Sequence, residues 1–146
     1  MDEMLDRTLF VTPKSLLRRK LQEAQAAQSR VERKSPHLAL HIRGMVEHVS
    51  LAEGSSLSLG RADVPNNYYP DVDLTLYGAK ERGISREHAR LHVSEGQLYL
   101  IDMGSANGTF VDNKRLETHH AHQLSDGDEF YVGQLMIKVV FRDDTR

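Results

Sequence analysis

From Pro36 onward the chain alternates apolar and polar residues with a period of two, in short runs that end at glycine, aspartate or asparagine. Successive side chains of a strand point to opposite faces, so each such run has one dry face and one wet face. In "HLALHIRG", Leu38, Leu40 and Ile42 alternate with Ala39, His41 and Arg43. "MVEHVSLAEG" is rich in strand formers, and Ser56 and Ser58 interleave with Leu57 and Leu59 ahead of Gly60-Arg61. "ARLHVSEGQLYLIDM" reads as two strands around a Glu95-Gly96 turn. "GTFVDNKRL" reads as a hairpin with Asn113 in the left-handed conformation, and "HQLSDGDEFYVG" turns at Asp126-Gly127. Leu135, Ile137, Val139 and Phe141 alternate in the last run. Short strands joined by polar turns predict an all-β sandwich or barrel and argue against an α/β fold. The longest break, residues 61–83, is a loop-rich insertion, and long loops in compact domains often carry function.

The first 35 residues follow a different rule. Residues 1–12 show no sustained period and read as an arm. Thr12-Pro13 suits a helix start, with threonine as N-cap and proline at the first helical position. Leu17, Leu21, Ala24, Gln28 and Val31 then share one face, a thin stripe that fits either a docking helix or a frayed one. The organisation expected is an arm and basic helical extension over residues 1–35 and a β domain over residues 36–146. Charge divides the same way: eight Lys/Arg against five Asp/Glu before Pro36, eleven against sixteen after it. A negatively charged domain is a poor general nucleic-acid binder, so any anion it recognises needs a local basic pocket. The absence of cysteine excludes a disulfide framework and a thiolate metal site. No apolar run approaches the ~20 residues of a membrane span, and the start is not signal-like. A cytoplasmic protein without membrane insertion is expected.

Within "GISREHARL", residues 83–91, a serine, an arginine and a histidine crowd together where a glycine-marked loop meets a strand. Ser85, His88 and Asp102 are the residue types of an acyl-transfer triad, but Ser85 lacks the GxSxG elbow that projects such a nucleophile. "GSANGT", residues 104–109, lacks the Gly-Lys-Ser/Thr ending of a Walker loop and lies between strands. Its glycines fit a sharp turn that exposes Asn107, whose amide both donates and accepts. His119, His120 and His122 supply imidazoles, but no cysteine or well-spaced carboxylate completes a metal shell, so a solvated loop is expected and no metal or other cofactor. Gly60-Arg61 places a guanidinium, suited to bidentate contact with phosphate, directly after a strand-ending glycine.

Taken in order, Gly60-Arg61, Ser85-Arg86-x-His88, "DMGSANGTFV" and "LSDGDEFYVG" resemble the forkhead-associated (FHA) domain at family-like spacing, over roughly Leu38 to Phe141. "DVDLTLYGAKERGISREHA" resembles a bacterial form of it. The resemblance implies an eleven-stranded β-sandwich whose loops at one end bind phosphothreonine peptides, and so a non-enzymatic partner in Ser/Thr kinase signalling. It implies that Arg61 clamps the phosphate, Ser85 donates its hydroxyl, Arg86 adds a second charge and Asn107 bonds the peptide backbone. Gly60, His88 and Gly108 take structural roles, with His88 bracing the loop that presents Ser85. Ala106 departs from the commoner pattern, in which a hydroxyl residue precedes the Asn-Gly. Lys80 and Arg82 are further peptide contacts. The partners implied are a phosphothreonine-containing protein or peptide and a Ser/Thr kinase; the alternative is a scaffold of the same fold that binds independently of phosphate. Thr8 and Thr12, the only threonines before the domain, are candidate phosphosites through which the arm would occupy the Arg61 pocket.

Overall fold

The computed structural model describes residues 37–142, so the arm, the expected helix, Thr8 and Thr12 lie outside the described residues. Among the described residues there are eleven strands: β1 (His37–Ile42), β2 (Met45–Ser50), β3 (Ser56–Gly60), β4 (Val72–Asp73), β5 (Ala89–Ser94), β6 (Gln97–Asp102), β7 (Thr109–Val111), β8 (Lys114–Arg115), β9 (Ala121–Leu124), β10 (Glu129–Val132) and β11 (Leu135–Arg142). They form a five-stranded sheet in the order β9-β6-β5-β3-β4 and a six-stranded sheet in the order β2-β1-β11-β10-β7-β8. All pairings are antiparallel except β3 with β4, where Leu59 lies opposite Val72.

The inward positions of both sheets merge into one core. Leu59, Leu91 and Leu100 come from the first sheet, and Leu40, Phe130 and Ile137 from the second. Each sheet alone would leave one apolar face wet; stacking the two removes both faces from water. Alternation fails at two places. Ala39 points to the outer face of the six-stranded sheet yet is buried, because its small side chain lies between His48 and Val140 on the flanking strands. Phe141, expected inside, is 40% exposed where β11 runs out past the core.

The turns use the chemistry their geometry requires. Glu95 (φ 53°) and Gly96 (φ 76°) are both left-handed between β5 and β6, as are Asp112 (φ 53°) and Asn113 (φ 64°) between β7 and β8. Two-residue turns of this hand match the twist of the strands they join. The insertion between β3 and β5 is ordered by two short 3-10 turns, Val64–Asn66 and Thr75–Tyr77, and by burial of Leu74, Ala79 and Ile84. It returns the chain to Ser85 beside the end of β3.

Candidate functional site

Three connections meet at one end of the sandwich: residues 83–88, residues 103–108 and the β10–β11 turn at Gly133. The first docks on the end of β3. The Arg61 N–H is shared between the carbonyls of Ser85 (3.2 Å) and Arg86 (3.1 Å), and the His88 N–H donates to Leu59 O at 3.0 Å. A Cβ on Gly60 would lie 1.7 Å from Arg86 O, so only glycine admits this approach. Gly133 plays the same part on the far side. Its N–H donates to Gly108 O at 2.9 Å, and a Cβ there would lie 2.6 Å from Arg82 O.

His88 is fully buried and ties two of these connections together. Its Nδ1 accepts the Ser85 N–H at 3.0 Å, and its Nε2 lies 2.7 Å from Gly108 O. A carbonyl only accepts, so Nε2 carries the proton and the ring is neutral. Burial holds its pKa below the ordinary histidine value, against the pull of Gly108 O and Asp102. These two contacts join the Ser85 backbone to the Gly108 backbone through one buried ring.

Asp102 is the second buried support, and the sequence signalled it only as a triad type. Its Oδ1 accepts from the hydroxyls of Ser105 (2.5 Å) and Thr109 (2.7 Å). Its Oδ2 accepts from Gly104 N (3.0 Å), Ser105 N (3.3 Å) and Thr118 Oγ1 (3.2 Å). Burial pushes this carboxyl up, but the hydrogen bonds led by Ser105 and Thr109 outweigh it and leave the pKa below the usual carboxylate value. The residues are not wired as a triad. His88 meets the backbone of Ser85 rather than its hydroxyl, and Asp102 spends its oxygens on the loop rather than on His88.

Above these supports lie the candidate contact residues. Arg61 donates its Nε to Ile84 O at 3.0 Å, which fixes the guanidinium beside the loop. Among the described residues no carboxylate pairs with Arg61. The Ser85 hydroxyl oxygen accepts the Ala106 N–H at 3.1 Å, which leaves its proton free to point outward. Ala106 therefore contributes through its backbone, where a hydroxyl side chain is missing. Asn107 donates Nδ2 to Gly83 O at 2.9 Å, retaining its second N–H and its carbonyl oxygen for a ligand. Gly108 (φ 93°) completes the turn, and a Cβ there would meet Arg115 Nε at 2.7 Å.

Arg86, expected to add a second charge, is itself paired with a carboxylate. Its Nη1 pairs with Asp63 Oδ2 at 3.0 Å, and Asp63 is itself held by Asn66 Nδ2 at 2.7 Å. The Asn66 hydrogen bond, with Arg86 next, keeps the Asp63 carboxyl below its ordinary pKa. Lys80 is exposed, whereas Arg82 is tethered by Nε to Tyr77 O at 3.0 Å. The three histidines do not converge: His119 takes a left-handed turn (φ 66°), His120 pairs with Glu117, and His122 sits in β9 opposite Leu100. The structural parts of Asp102, Gly133 and Asp63 were not read from the sequence. Their partners are remote in the chain, and only the glycine itself hinted at a close approach.

An end-loop cluster with an anchored guanidinium, a fixed hydroxyl and an exposed amide on an eleven-stranded sandwich defines a class, and comparison with known proteins agrees. The FHA domain family matches residues 57–133, more than half of this chain. The chain belongs to the FHA domain family. FraH of Nostoc sp. is 35% identical over 80 residues, covering 54% of this chain and 27% of that protein. The glycogen accumulation regulator GarA of Mycolicibacterium smegmatis is 29% identical over 84 residues, covering 58% of this chain and 49% of that protein. The chain thus spans about half or less of the length of these curated relatives. An FHA domain solved in a study of phosphothreonine-dependent FHA domain interactions superposes with a TM-score of 0.56 at 27% identity, covering 73% of this chain and 97% of that one.

Proposed function

We propose that the chain is a phosphothreonine-peptide-binding module in Ser/Thr kinase signalling, working by recognition rather than catalysis. One observation carries this reading: Arg61 and Ser85 are each fixed by one hydrogen bond and keep their outward donors uncommitted, side by side. Phosphothreonine brings about −1.5 to −2 charges and three acceptor oxygens. The terminal amino groups of Arg61 take two of these oxygens, and the Ser85 hydroxyl donates to another. Arg86 adds a second charge while remaining on Asp63, since a guanidinium has donors for both. Asn107 bonds the peptide backbone beside the phosphothreonine. Each of these groups is held before the ligand arrives, so less side-chain freedom is lost on binding.

Relatives and neighbours support the same reading. GarA is by name a regulator, and the superposed FHA domain comes from work on phosphothreonine-dependent interactions. The partner proposed is a phosphothreonine-bearing protein, and the compartment the cytoplasm; among the described residues no helix is long and apolar enough to cross a membrane. The division into an extension over residues 1–35 and an FHA domain over residues 36–146 is part of this proposal, as is occupation of the pocket by phosphorylated Thr8 or Thr12. The test is binding to a degenerate phosphothreonine peptide library, with unphosphorylated and phosphoserine versions as controls. Retention of the phosphothreonine library alone supports the reading; equal retention of the unphosphorylated library defeats it.

A further inference from the structure

Arg115, at the end of β8, is exposed and has no carboxylate partner among the described residues. Its guanidinium lies across the loop that carries Asn107. Nη2 approaches the carbonyls of Ser105 and Ala106, each at 3.5 Å, the outer limit of a hydrogen bond. Nε and Cζ pass so close to Gly108 that a Cβ there would meet them at 2.7 and 3.0 Å. Phe110 lies directly opposite Arg115 in the β7–β8 pairing, and its ring would meet the same Cβ at 3.0 Å. Ring and loop together hold the arginine stem in place.

The acids nearest to Arg115 are committed elsewhere. Glu117 pairs with His120 at 2.7 Å, and Asp102 is buried and bonded to Ser105, Thr109 and Thr118. Asp112, on the turn of the hairpin, lines a separate cleft with Asp128 and Glu129. Lys114, the neighbour of Arg115 in β8, is a second exposed cation. The charge is felt inside the site: after burial, Arg115 is the other influence that holds the His88 ring below its ordinary pKa. Arg86 is neutralised by Asp63, whereas Arg61 and Arg115 are balanced by no carboxylate among the described residues.

Arg115 is joined to the proposed phosphate site by atoms of a single residue. The Ser85 hydroxyl meets the N–H of Ala106, and Arg115 meets the C=O of Ala106. Ser85 Oγ and the guanidinium are therefore about 10 Å apart at most, one residue's backbone and two hydrogen-bond lengths. Extended peptide advances about 3.3–3.6 Å per residue, so three residues cross that gap. In the phosphothreonine reading Asn107 bonds the peptide backbone beside the phosphothreonine, and a side chain passing Asn107 comes next to Arg115.

We infer that Arg115 is a specificity-determining residue of this site, which takes the carboxylate of an aspartate or glutamate within three residues of the phosphothreonine. The inference rests on the phosphothreonine reading. The planar guanidinium matches a carboxylate, and most of its five N–H donors are uncommitted. Partners carrying acid at the matching position are then held more tightly than partners carrying a base there.

The test uses the full chain and peptides with one phosphothreonine in an alanine and glycine background. Aspartate, alanine or lysine is placed in turn at each of the four positions on either side. The wild-type protein is expected to bind the aspartate peptide about fivefold more tightly than the lysine peptide at one position within three residues of the phosphothreonine. Arg115→Met is expected to remove that difference, and Arg115→Glu to invert it so that lysine is preferred. A guanidinium that only braced the loop, or that touched the phosphate itself, would lower the aspartate and lysine peptides alike. Equal lowering of that kind, a preference that survives both variants, or a flat wild-type profile with Arg61-dependent binding would overturn the role of Arg115 and leave the phosphate site standing. Absence of any phosphate-dependent binding by the wild-type protein would overturn both.

Discussion

Arg61, Ser85 and Asn107 on the one hand, and His88 and Asp102 on the other, lie at the same end of the sandwich but meet opposite surroundings. The first three face water and keep outward donors or acceptors uncommitted. The other two are buried, and every polar atom of their side chains is in a hydrogen bond. A binding face must be ready but unsatisfied, and a polar group left unsatisfied is tolerable only where water can reach it. Its supports are buried and have to be satisfied completely, because a buried donor without a partner costs free energy. The expectation that follows is a separation of effects: substitutions on the face cost affinity, and substitutions beneath it cost stability first.

The largest effect is expected at Asp102. Asp102→Ala leaves the Ser105, Thr109 and Thr118 hydroxyls and two backbone N–H groups without their acceptor, and is expected to cost about 3–5 kcal/mol of stability. Chemical denaturation measures this directly; a loss below ~1 kcal/mol would show that the carboxylate does not organise the 103–108 loop. Next comes Arg61→Ala, which is expected to weaken phosphopeptide binding more than ~100-fold, since each hydrogen bond to a charged group is worth roughly 1.5–3 kcal/mol. Its melting temperature should stay within ~2 °C of wild type. Calorimetry and thermal melting on one sample check both halves.

Ser85 and His88 sharpen the comparison, being hydrogen-bonded to each other but on opposite sides of it. Ser85→Ala is expected to lower affinity about tenfold with little change in melting temperature. His88→Ala is expected to lower both, because Ser85 N–H and Gly108 O lose their partner together. Normal melting of the His88 variant would remove it from the supporting set. The same histidine predicts a pH dependence. Its folded pKa is depressed below 6.5, so the unfolded chain binds the proton more readily. Its contribution to stability is complete above pH 6.5 and is lost as the pH falls below that value toward the folded pKa. Melting temperatures taken downward from pH 8 should decline from about 6.5, and the decline should be reduced in His88→Ala. The smallest effect belongs to the arm: phosphothreonine installed at Thr8 or Thr12 is expected to weaken binding of an external phosphopeptide by competition. Unchanged affinity at both positions would sever the arm from the pocket.

The strands were legible because burial on one face leaves a period-two trace, and that trace is clear in β1, β5, β6, β10 and β11. It is absent from β4, a two-residue strand made by parallel pairing to β3, and faint in β9, where Ala121, His122 and Gln123 precede one buried leucine. The proposed binding face shows in the sequence as residue types in order: Gly60-Arg61, Ser85, Asn107. What the sequence withheld was the pairing beneath and beside it. Asp102 reaches Thr118 sixteen residues on, Gly133 makes room for Arg82 O, and Asp63 holds Arg86 across twenty-three residues. Such contacts leave no local periodicity, since each depends on where two distant loops happen to meet.

The account rests on one end of the sandwich being the phosphate-recognising surface. Amide NMR spectra recorded while a phosphothreonine peptide is titrated in test that claim residue by residue. Shifts are predicted to gather at Arg61, at Ser85 and Arg86, and from Ser105 to Gly108, and to disappear when the same peptide is dephosphorylated. Shifts of equal size with the unphosphorylated peptide, or shifts confined to the strands away from these loops, would contradict it.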